Sequence, residues 1–314
     1  MAQRVFIDGE AGTTGLQIRE RLEGRRDIEL VSIDPAKRKD MDERKRLLNS
    51  ADAVILCLPD DAAREAVSLI ENDAVKVIDA STAYRVAEGW AYGFAEMAED
   101  QRAKIAASKR ISNPGCYPTG FIGLVRPLVE VGIVPREWPL SVNAVSGYSG
   151  GGKAMIAEFE DKSDPTYART PYRIYALAQK HKHVPEMQKY AGLARGPIFL
   201  PSVGRYYKGM IVEVPLPLSA LANTPKLADV RGALEAAYAG ERFVSVASAR
   251  ECAVLKTLAP EGLNDTNRMK LFVFGHDDEA RLVALLDNLG KGASGAAVQN
   301  LNIALGLEED AGLG

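Results

Sequence analysis

The chain has 314 residues, of which 46% are hydrophobic and 26% charged, and its formal net charge is −3. This length predicts about two domains at roughly 100–200 residues each. Because the net charge is small, nothing favours nucleic acid as a partner, and small-molecule chemistry is expected instead. No apolar run approaches the roughly 18 residues of a membrane span, and no signal-peptide pattern opens the chain, so we expect a cytoplasmic protein.

Three cysteines are present: Cys57, Cys116 and Cys252. They are too few and too scattered for a disulfide framework or a closed zinc site, so we interpret them as free thiols and expect no metal. Cys57 and Cys252 fall in or near apolar strands, where packing is the expected role.

Apolar, strand-like runs alternate with helical patterns over the first third of the chain. The strand-like runs are RVFID, IELVSID, AVILCLP and VKVIDAS, and the helical patterns between them are LQIRERLEG and AAREAVSLI. The runs at 53–58 and 75–78 are nearly continuous, as expected of strands covered on both faces by helices. We therefore predict an α/β fold with a Rossmann-like, doubly wound parallel sheet.

A second, α+β domain is predicted after about residue 120, for substrate binding and oligomerisation. Strands are expected at 141–145, 198–203, 210–216, 242–246 and 269–274, and helices at 228–238 and 279–289. Such a sheet is expected to be mixed or antiparallel. A last helical pattern, through Val298, Leu301 and Leu305, is expected to return to the first domain. The predicted domains are 1–116 plus 291–314, and 117–290.

A glycine motif follows the first strand: Gly9, Gly12 and Gly15 form G-x-x-G-x-x-G, with Thr13 and Thr14 between the last two. Glycines let the backbone turn sharply and approach a pyrophosphate, which the start of the following helix stabilises. The strand–glycine–helix context predicts a dinucleotide site, although the motif alone also suits a plain tight turn.

Two signals near the second strand bear on which dinucleotide binds. Asp34, 19 residues after Gly15, occupies the position where an acid often bonds the adenosine ribose of NAD. Lys37, Arg38 and Lys39 follow it, and these cations suit the 2′-phosphate of NADP, although such a charge run also suits a solvated loop. We favour NADP(H) as the cofactor.

Cys116 lies in the segment SNPGCYPTG, directly before the helical pattern FIGLVRPLVEVG. At a helix N-terminus, backbone amides and the helix dipole stabilise a thiolate, which is the nucleophilic form of cysteine. We therefore predict that Cys116 is the catalytic nucleophile.

Two of the three histidines occur in the segment HKHVPE. His183 with Glu186 is typical of an acid–base imidazole oriented by a carboxylate, giving a Cys–His–Glu arrangement with Cys116. His181 with His183 also suits a metal pair, but no matching cluster of further ligands exists, so acid–base chemistry is favoured. His276 is expected to be structural.

Three cations are candidates for binding the phosphate or carboxylate of a substrate: Arg85, Lys153 and Arg205. An arginine fork matches either anion. Surface ion pairing is the alternative role for each of them.

Four motifs carry a family resemblance, in this order: GEAGTTGLQI, SNPGCYPTG, HKHVPEM and KGASGAAVQNLN. Together they resemble the acyl-phosphate-reducing semialdehyde dehydrogenases, and among these the shorter type of N-acetyl-gamma-glutamyl-phosphate reductase, over nearly the whole chain. The resemblance implies NADPH-dependent reduction of N-acetyl-L-glutamyl 5-phosphate to N-acetyl-L-glutamate 5-semialdehyde and phosphate, through a Cys116 thioester, in L-arginine biosynthesis.

The resemblance also implies roles for single residues and an assembly. His183 is the acid–base residue with Glu186 as its partner, His181 contacts substrate, and Arg85 binds an anion. The residues implied to approach the cofactor are Ser294, Gly295 and Asn300. A homodimer or homotetramer is implied.

Two alternatives stay open from the sequence. A related reductase of aspartyl phosphate or N-acetyl-aminoadipyl phosphate uses the same thiol and hydride steps, although the histidine segment disfavours the aspartyl relative. The other alternative is a dinucleotide-binding regulator in which Cys116 senses oxidation, and it leaves the paired histidine and glutamate without a purpose.

Overall fold

Two structural units divide the chain in the computed structural model, which describes residues 2–38 and 40–314. The first unit consists of Met1–Ala95, Glu99–Gly115 and Ala293–Gly314, and the second unit of Glu96–Ala98 and Cys116–Gly292. Lys39, one of the cations assigned above to a 2′-phosphate, lies outside the described residues. Within the described ranges, no helix is both long and apolar enough to cross a membrane.

Strands and helices are numbered separately along the chain. The strands are β1 (Gln3–Asp8), β2 (Ile28–Val31), β3 (Ala53–Leu56), β4 (Lys76–Asp79), β5 (Ala91–Tyr92), β6 (Arg110–Ser112), β7 (Ser141–Gly147), β8 (Tyr172–Ile174), β9 (Ile198–Gly204), β10 (Met210–Leu216), β11 (Val244–Val246), β12 (Met269–His276) and β13 (Glu279–Leu286). The helices are α1 (Thr13–Leu22), α2 (Met41–Ser50), α3 (Asp60–Ser68), α4 (Gln101–Ala107), α5 (Cys116–Glu130), α6 (Gly152–Glu160), α7 (Val184–Ala191), α8 (Leu227–Ala237), α9 (Ala249–Val254) and α10 (Gly295–Leu305).

The first unit is built on a parallel sheet with the strand order β2-β1-β3-β4-β6-β5. All four residues of β3 are buried, and α10 packs on β3 and β4 beside α1 and α4. The predicted Rossmann-like sheet is confirmed. Because β2 and β3 flank β1 on opposite sides, the loop after β1 opens at the switch point where such sheets bind ligands.

Helix α2 covers the other face of this sheet and is absent from the sequence prediction. Only Leu47 and Leu48 carry its contact with the core cluster around Phe6 and Val54, so its apolar stripe is short. The helix begins at a strong cap, because the side chain of Asp40 accepts hydrogen bonds from the first-turn amides.

The second unit contains a mixed sheet in the order β11-β12-β13-β10-β7-β9-β8, in which β7–β9 and β11–β12 are parallel pairs. The predicted mixed sheet is confirmed. Register places Val212 opposite Ala284 on the face that α5 covers. A Cβ at Gly120 of α5 would lie 2.8 Å from the Val212 side chain, so the glycine lets the helix lie close to the sheet.

The prediction of a helix at 279–289 is wrong. The segment forms β13, which lies between β12 and β10 and joins β12 through a hairpin that pairs His276 with Glu279. Its residues from Leu282 to Leu286 are all buried, and a short run that is apolar at every position fits a two-sided strand as well as a helix. Helices α6, α7 and α9 also occur where none was predicted.

Candidate active site

In the glycine loop of the first unit, residues 9–15, a side chain at Gly9 or Gly15 would clash with neighbouring backbone atoms. Gly9 has φ +88°, and a Cβ there would lie 2.4 Å from the carbonyl oxygen of Cys57. A Cβ at Gly15 would lie 2.5 Å from the Gly9 carbonyl oxygen, which also accepts a hydrogen bond from the Gly12 amide at 2.9 Å. No side chain caps the start of α1 at Gly12. Exposed amides in a tight glycine cradle fit the pyrophosphate of a dinucleotide.

Asp34, predicted to bind the adenosine ribose, follows β2 and hydrogen-bonds to the backbone. Its carboxylate accepts a hydrogen bond from the Ala36 amide at 2.9 Å and so caps a short helical turn that Arg38 follows. An unpredicted polar group lies nearby: the Arg19 guanidinium donates to Glu10 at 2.9 Å and to Ser32 at 3.0 Å. Arg19 therefore supplies a second cation, together with Arg38, around the end of β2.

The predicted cofactor residues of α10 have distinct environments within the first unit. The Ser294 hydroxyl donates to the Gln17 side chain of α1 at 3.1 Å, and Gly295 is buried at the start of α10. Asn300 is also buried, and its amide nitrogen donates to the Gly93 carbonyl at 2.9 Å and to the Asn113 side chain at 3.1 Å. Asn300 lies in α10, the helix assigned to the cofactor, and its side chain also holds that of Asn113.

Arg85 is only 8% exposed, which is unusual for an arginine. Its Nε donates to the Asn113 carbonyl at 3.0 Å and its Nη2 to the Ala80 carbonyl at 3.3 Å. These carbonyls orient the guanidinium within the first unit. Its role as an anion ligand stays a prediction.

Cys116 opens helix α5 in the second unit and is half-buried, whereas eleven of the fifteen residues of this helix are buried. Pro118 occupies the first turn, where the missing amide hydrogen costs no helical hydrogen bond. The first-turn amides and the helix dipole therefore lie beside the thiol and favour its charged form.

Both predicted histidines belong to an aromatic cluster formed by Tyr117, Tyr175, His181, His183 and Phe199. The ring of His181 lies 4.7 Å from that of His183, and the ring of Tyr117 lies 5.9 Å from that of His183. The His183 amide donates to His181 Nδ1 at 3.2 Å, so a neutral His181 carries its proton on Nε2.

His183 and Glu186 span the first turn of α7 and are 8% and 1% exposed. Residues three apart lie on one face of a helix, which suits a carboxylate that supports an imidazole. Cys116, His181, His183 and Glu186 thus all belong to the second unit. In the described part of the chain, no three His, Cys, Asp or Glu side chains are arranged to hold a metal ion.

Two tyrosines that the sequence analysis did not assign lie beside the thiol. The Tyr175 hydroxyl donates to that of Tyr117 at 3.0 Å. Burial raises the pKa of Tyr117 well above its usual value, and the nearby Tyr175 and Cys116 raise it further. Burial also raises the pKa of Tyr175 to about 12, with a further contribution from Cys116. Both hydroxyls therefore stay protonated donors at neutral pH.

The remaining predicted cations, Lys153 and Arg205, have different surroundings. Lys153 is exposed in the first turn of α6. Arg205 donates to the carbonyls of Phe159 at 3.0 Å and of Thr170 at 3.3 Å, and its guanidinium lies over the Phe159 ring. Arg205 therefore supports the segment 159–170, and a substrate role for either residue stays a prediction.

Iodoacetamide at pH 8 is expected to modify Cys116 long before Cys57 or Cys252. Burial, reinforced by Asp79 and Asp8, raises the pKa of Cys57 to about 12, so roughly one part in ten thousand is thiolate at pH 8. Cys252 is 8% exposed in an apolar cluster, as its predicted packing role requires. Peptide mass spectrometry after timed quenching measures the order, and equal labelling of Cys57 and Cys116 in folded protein would contradict it.

Comparison with known proteins adds two family matches. Residues 23–105 match the family described as "Semialdehyde dehydrogenase, NAD binding domain", and residues 116–288 match "Semialdehyde dehydrogenase, dimerisation domain". The chain is 56% identical to N-acetyl-gamma-glutamyl-phosphate reductase 2 of Nostoc sp., with 99% of each chain covered. It is 57% identical to N-acetyl-gamma-glutamyl-phosphate reductase of Brucella anthropi, with 98% of this chain and 99% of that one covered.

Solved structures share the fold at low sequence identity. Aspartate semialdehyde dehydrogenase II of Vibrio cholerae superposes with a TM-score of 0.73 at 14% identity, covering 97% of this chain and 98% of that one. Aspartate semialdehyde dehydrogenase with NADP from Candida albicans superposes with a TM-score of 0.61, also at 14% identity, covering 96% and 98%. At this identity the likeness concerns the fold alone.

Proposed function

Because the chain belongs to the semialdehyde dehydrogenase family and, within it, to the N-acetyl-gamma-glutamyl-phosphate reductases, we propose that it reduces N-acetyl-L-glutamyl 5-phosphate with NADPH. The products are N-acetyl-L-glutamate 5-semialdehyde and phosphate, and the pathway is L-arginine biosynthesis. The observation that carries the chemistry is a half-buried thiol at the start of α5, in one unit with a buried histidine and glutamate.

In the acylation step, His183 accepts the proton of Cys116, and the thiolate attacks the acyl carbon. The carbon–oxygen bond to phosphate breaks, phosphate leaves with the electron pair, and a thioester remains on Cys116. Glu186 supports the positive charge of the imidazolium, as carboxylates do in nucleophile–histidine sites. One difficult reaction thereby becomes two easier ones.

In the reduction step, bound NADPH would supply a hydride to the thioester carbonyl carbon. His183 protonates the developing oxyanion to give a hemithioacetal on Cys116. When the hemithioacetal collapses, His183 takes back the hydroxyl proton, Cys116 leaves as thiolate and the aldehyde forms. Tyr175 and Tyr117 keep their protons at neutral pH, and Tyr175 donates to Tyr117 while Tyr117 donates to the Ser202 carbonyl, so the pair orders the rings near His183.

The glycine loop, Gly9 to Gly15 with Thr13 and Thr14, would hold the pyrophosphate of the dinucleotide. Ser294, Gly295 and Asn300 are proposed for its nicotinamide side. Arg38, at the end of the short turn after β2, supports a preference for NADP, and Arg19 adds less because its guanidinium pairs with Glu10. Asp34 already accepts a backbone amide, which favours its role as a cap over a ribose contact.

Substrate anions are proposed to bind Arg85, Lys153, His181 and Arg205. For Arg85 the support is its 8% exposure, unusual for an arginine, with the guanidinium oriented by the Asn113 and Ala80 carbonyls. The first unit is assigned to the dinucleotide and the second to catalysis and assembly.

We assign the enzyme to the cytoplasm, where its free thiols stay reduced.

A homodimer or homotetramer is proposed for the assembly. The match of residues 116–288 to a dimerisation domain supports it. On the face of the second unit's sheet opposite α5, Ile198 and Leu200 are 56% and 45% exposed, and a symmetric interface would bury them.

The reverse reaction tests the function. Purified protein with N-acetylglutamate semialdehyde, phosphate and NADP is expected to form NADPH, measured by absorbance, only when both semialdehyde and phosphate are present. The aspartate and N-acetyl-aminoadipate semialdehydes, run in parallel, are expected to react far more slowly. Faster reaction with either of them would reassign the substrate, and silence with all three in folded, NADPH-binding protein would reject the enzymatic proposal.

A further inference from the structure

Gly292, the last residue of the second unit in sequence, contacts Cys116, the proposed nucleophile. A Cβ built on Gly292 would lie 2.6 Å from the Cβ of Cys116, 3.1 Å from its Cα and 3.2 Å from the Asp287 carbonyl oxygen. Real Cβ atoms do not approach other heavy atoms within 3.0 Å. The backbone of Gly292 therefore packs directly on the side chain of Cys116.

Several contacts hold the segment around Gly292. Its amide donates to the Asp287 carbonyl at 3.0 Å. The Asp287 carboxylate in turn accepts hydrogen bonds from the amides of Asp265 and Leu289, at 2.8 and 2.9 Å. Gly290 lies so close to Thr266 that a Cβ there would be 2.2 Å from its carbonyl oxygen. Gly292 therefore has little freedom to retreat from Cys116.

A buried ion pair adds to this restraint. The ammonium of Lys291 contacts both carboxylate oxygens of Glu96, at 2.7 and 2.8 Å, and the two side chains are 2% and 0% exposed. The same ammonium lies 5.6 Å from the centre of the Phe243 ring. Separating a buried, hydrogen-bonded ion pair is strongly unfavourable, so Lys291 is fixed next to Gly292.

The π-helical turn Gly290–Ser294 contains this segment, and such turns occur frequently at functional sites. Cys116 is the first residue of its helix, whereas Gly292 bonds to Asp287 and follows Lys291, which Glu96 fixes. A side chain added at position 292 would therefore displace Cys116 rather than the turn.

We propose that Gly292 is a positioning residue, whose bare backbone holds the Cβ of Cys116 and thereby sets where the thiol lies. The proposal rests on the proposed function in one respect, the role of Cys116 as nucleophile. A nucleophile moved by about 1 Å loses on the order of a hundredfold in rate.

Gly292→Ala tests the proposal, with Gly232→Ala as the matched control because a Cβ at exposed Gly232 meets nothing within 4 Å. Gly292→Ala is expected to lower kcat by about 10- to 100-fold with a small change in KM. The pH midpoint of Cys116 alkylation by iodoacetamide is expected to rise, since the displaced thiolate loses the amides of α5. The NADPH dissociation constant, from fluorescence, is expected to stay within about twofold of wild type.

If Gly292→Ala folds poorly, a double-mutant cycle with Cys116→Gly, read out by Tm, still tests the contact. Cys116→Gly removes the clashing Cβ, so Gly292→Ala should lower Tm less in this background than in wild type. An equal Tm loss in both backgrounds would overturn the contact, and unchanged kcat and alkylation in folded Gly292→Ala would overturn the positioning role. If Cys116 is not the nucleophile, Cys116→Ala retains turnover while the alkylation and Tm results still report on Gly292.

Discussion

Cys116→Ala is expected to lower turnover by about a thousandfold or more, while NADPH binding and Tm stay near their wild-type values. Without the thiol no thioester forms, and the acyl phosphate must accept hydride directly, which is far less favourable. Stopped-flow or steady-state assays of the reverse reaction measure the loss, and fluorescence measures NADPH binding.

Cys252→Ala is the matched control for this experiment, because Cys252 packs in an apolar cluster of the second unit. It is expected to cost stability through a small cavity and to leave kcat within about twofold of wild type once folded. Turnover that survives in Cys116→Ala but not in Cys252→Ala would reverse the assignment of the nucleophile.

His183→Asn is expected to lower kcat/KM by about 10²- to 10⁴-fold, the usual contribution of general acid–base catalysis. The variant is also expected to lose the limb of the pH–rate profile that the His183 imidazole contributes. Glu186→Gln keeps the shape of the side chain but removes its charge, so its loss should be smaller and in the same direction. Assays across pH on folded variants measure both effects.

His276→Asn is the control for the histidine experiment, because His276 is largely exposed and only weakly paired, 4.0 Å from Asp278 and 3.9 Å from Glu279. Its kcat/KM and pH profile should match those of wild type. A pH–rate profile of His183→Asn that keeps both limbs would show that another group moves the proton.

The parallel sheet of the first unit was predictable because its strands β1 to β4 coincide with mainly apolar runs that alternate with helical patterns, whereas the short strands β5 and β6 carry no such run. The start of α5 at Cys116 was predictable for a similar reason, since Cys116 directly precedes a helical pattern, whereas the catalytic roles of Cys116, His183 and Glu186 stay predictions. Residue type and spacing along the chain carried this information.

Contacts between segments that are distant in sequence could not be predicted, because no local pattern of residue type or spacing indicates them. Lys291 and Glu96 are 195 residues apart, and only the folded chain shows that their charges are buried together. Tyr175 belongs to none of the motifs, and its place beside Tyr117 depends on the pairing of β8 with β9. The strand β13 was mistaken for a helix because its burial on both faces erased the alternation that identifies a strand.

The order of synthesis has a consequence for the first unit, which the second unit interrupts between Gly115 and Ala293. All six strands of the parallel sheet emerge from the ribosome before the interruption, but α10, which packs on β3 and β4, emerges after it. At about 5–20 residues per second, the intervening stretch takes roughly 10–35 s to translate. Throughout that interval the nascent sheet lacks α10. The apolar surface of β3 and β4 that α10 covers therefore stays exposed until α10 has been synthesised.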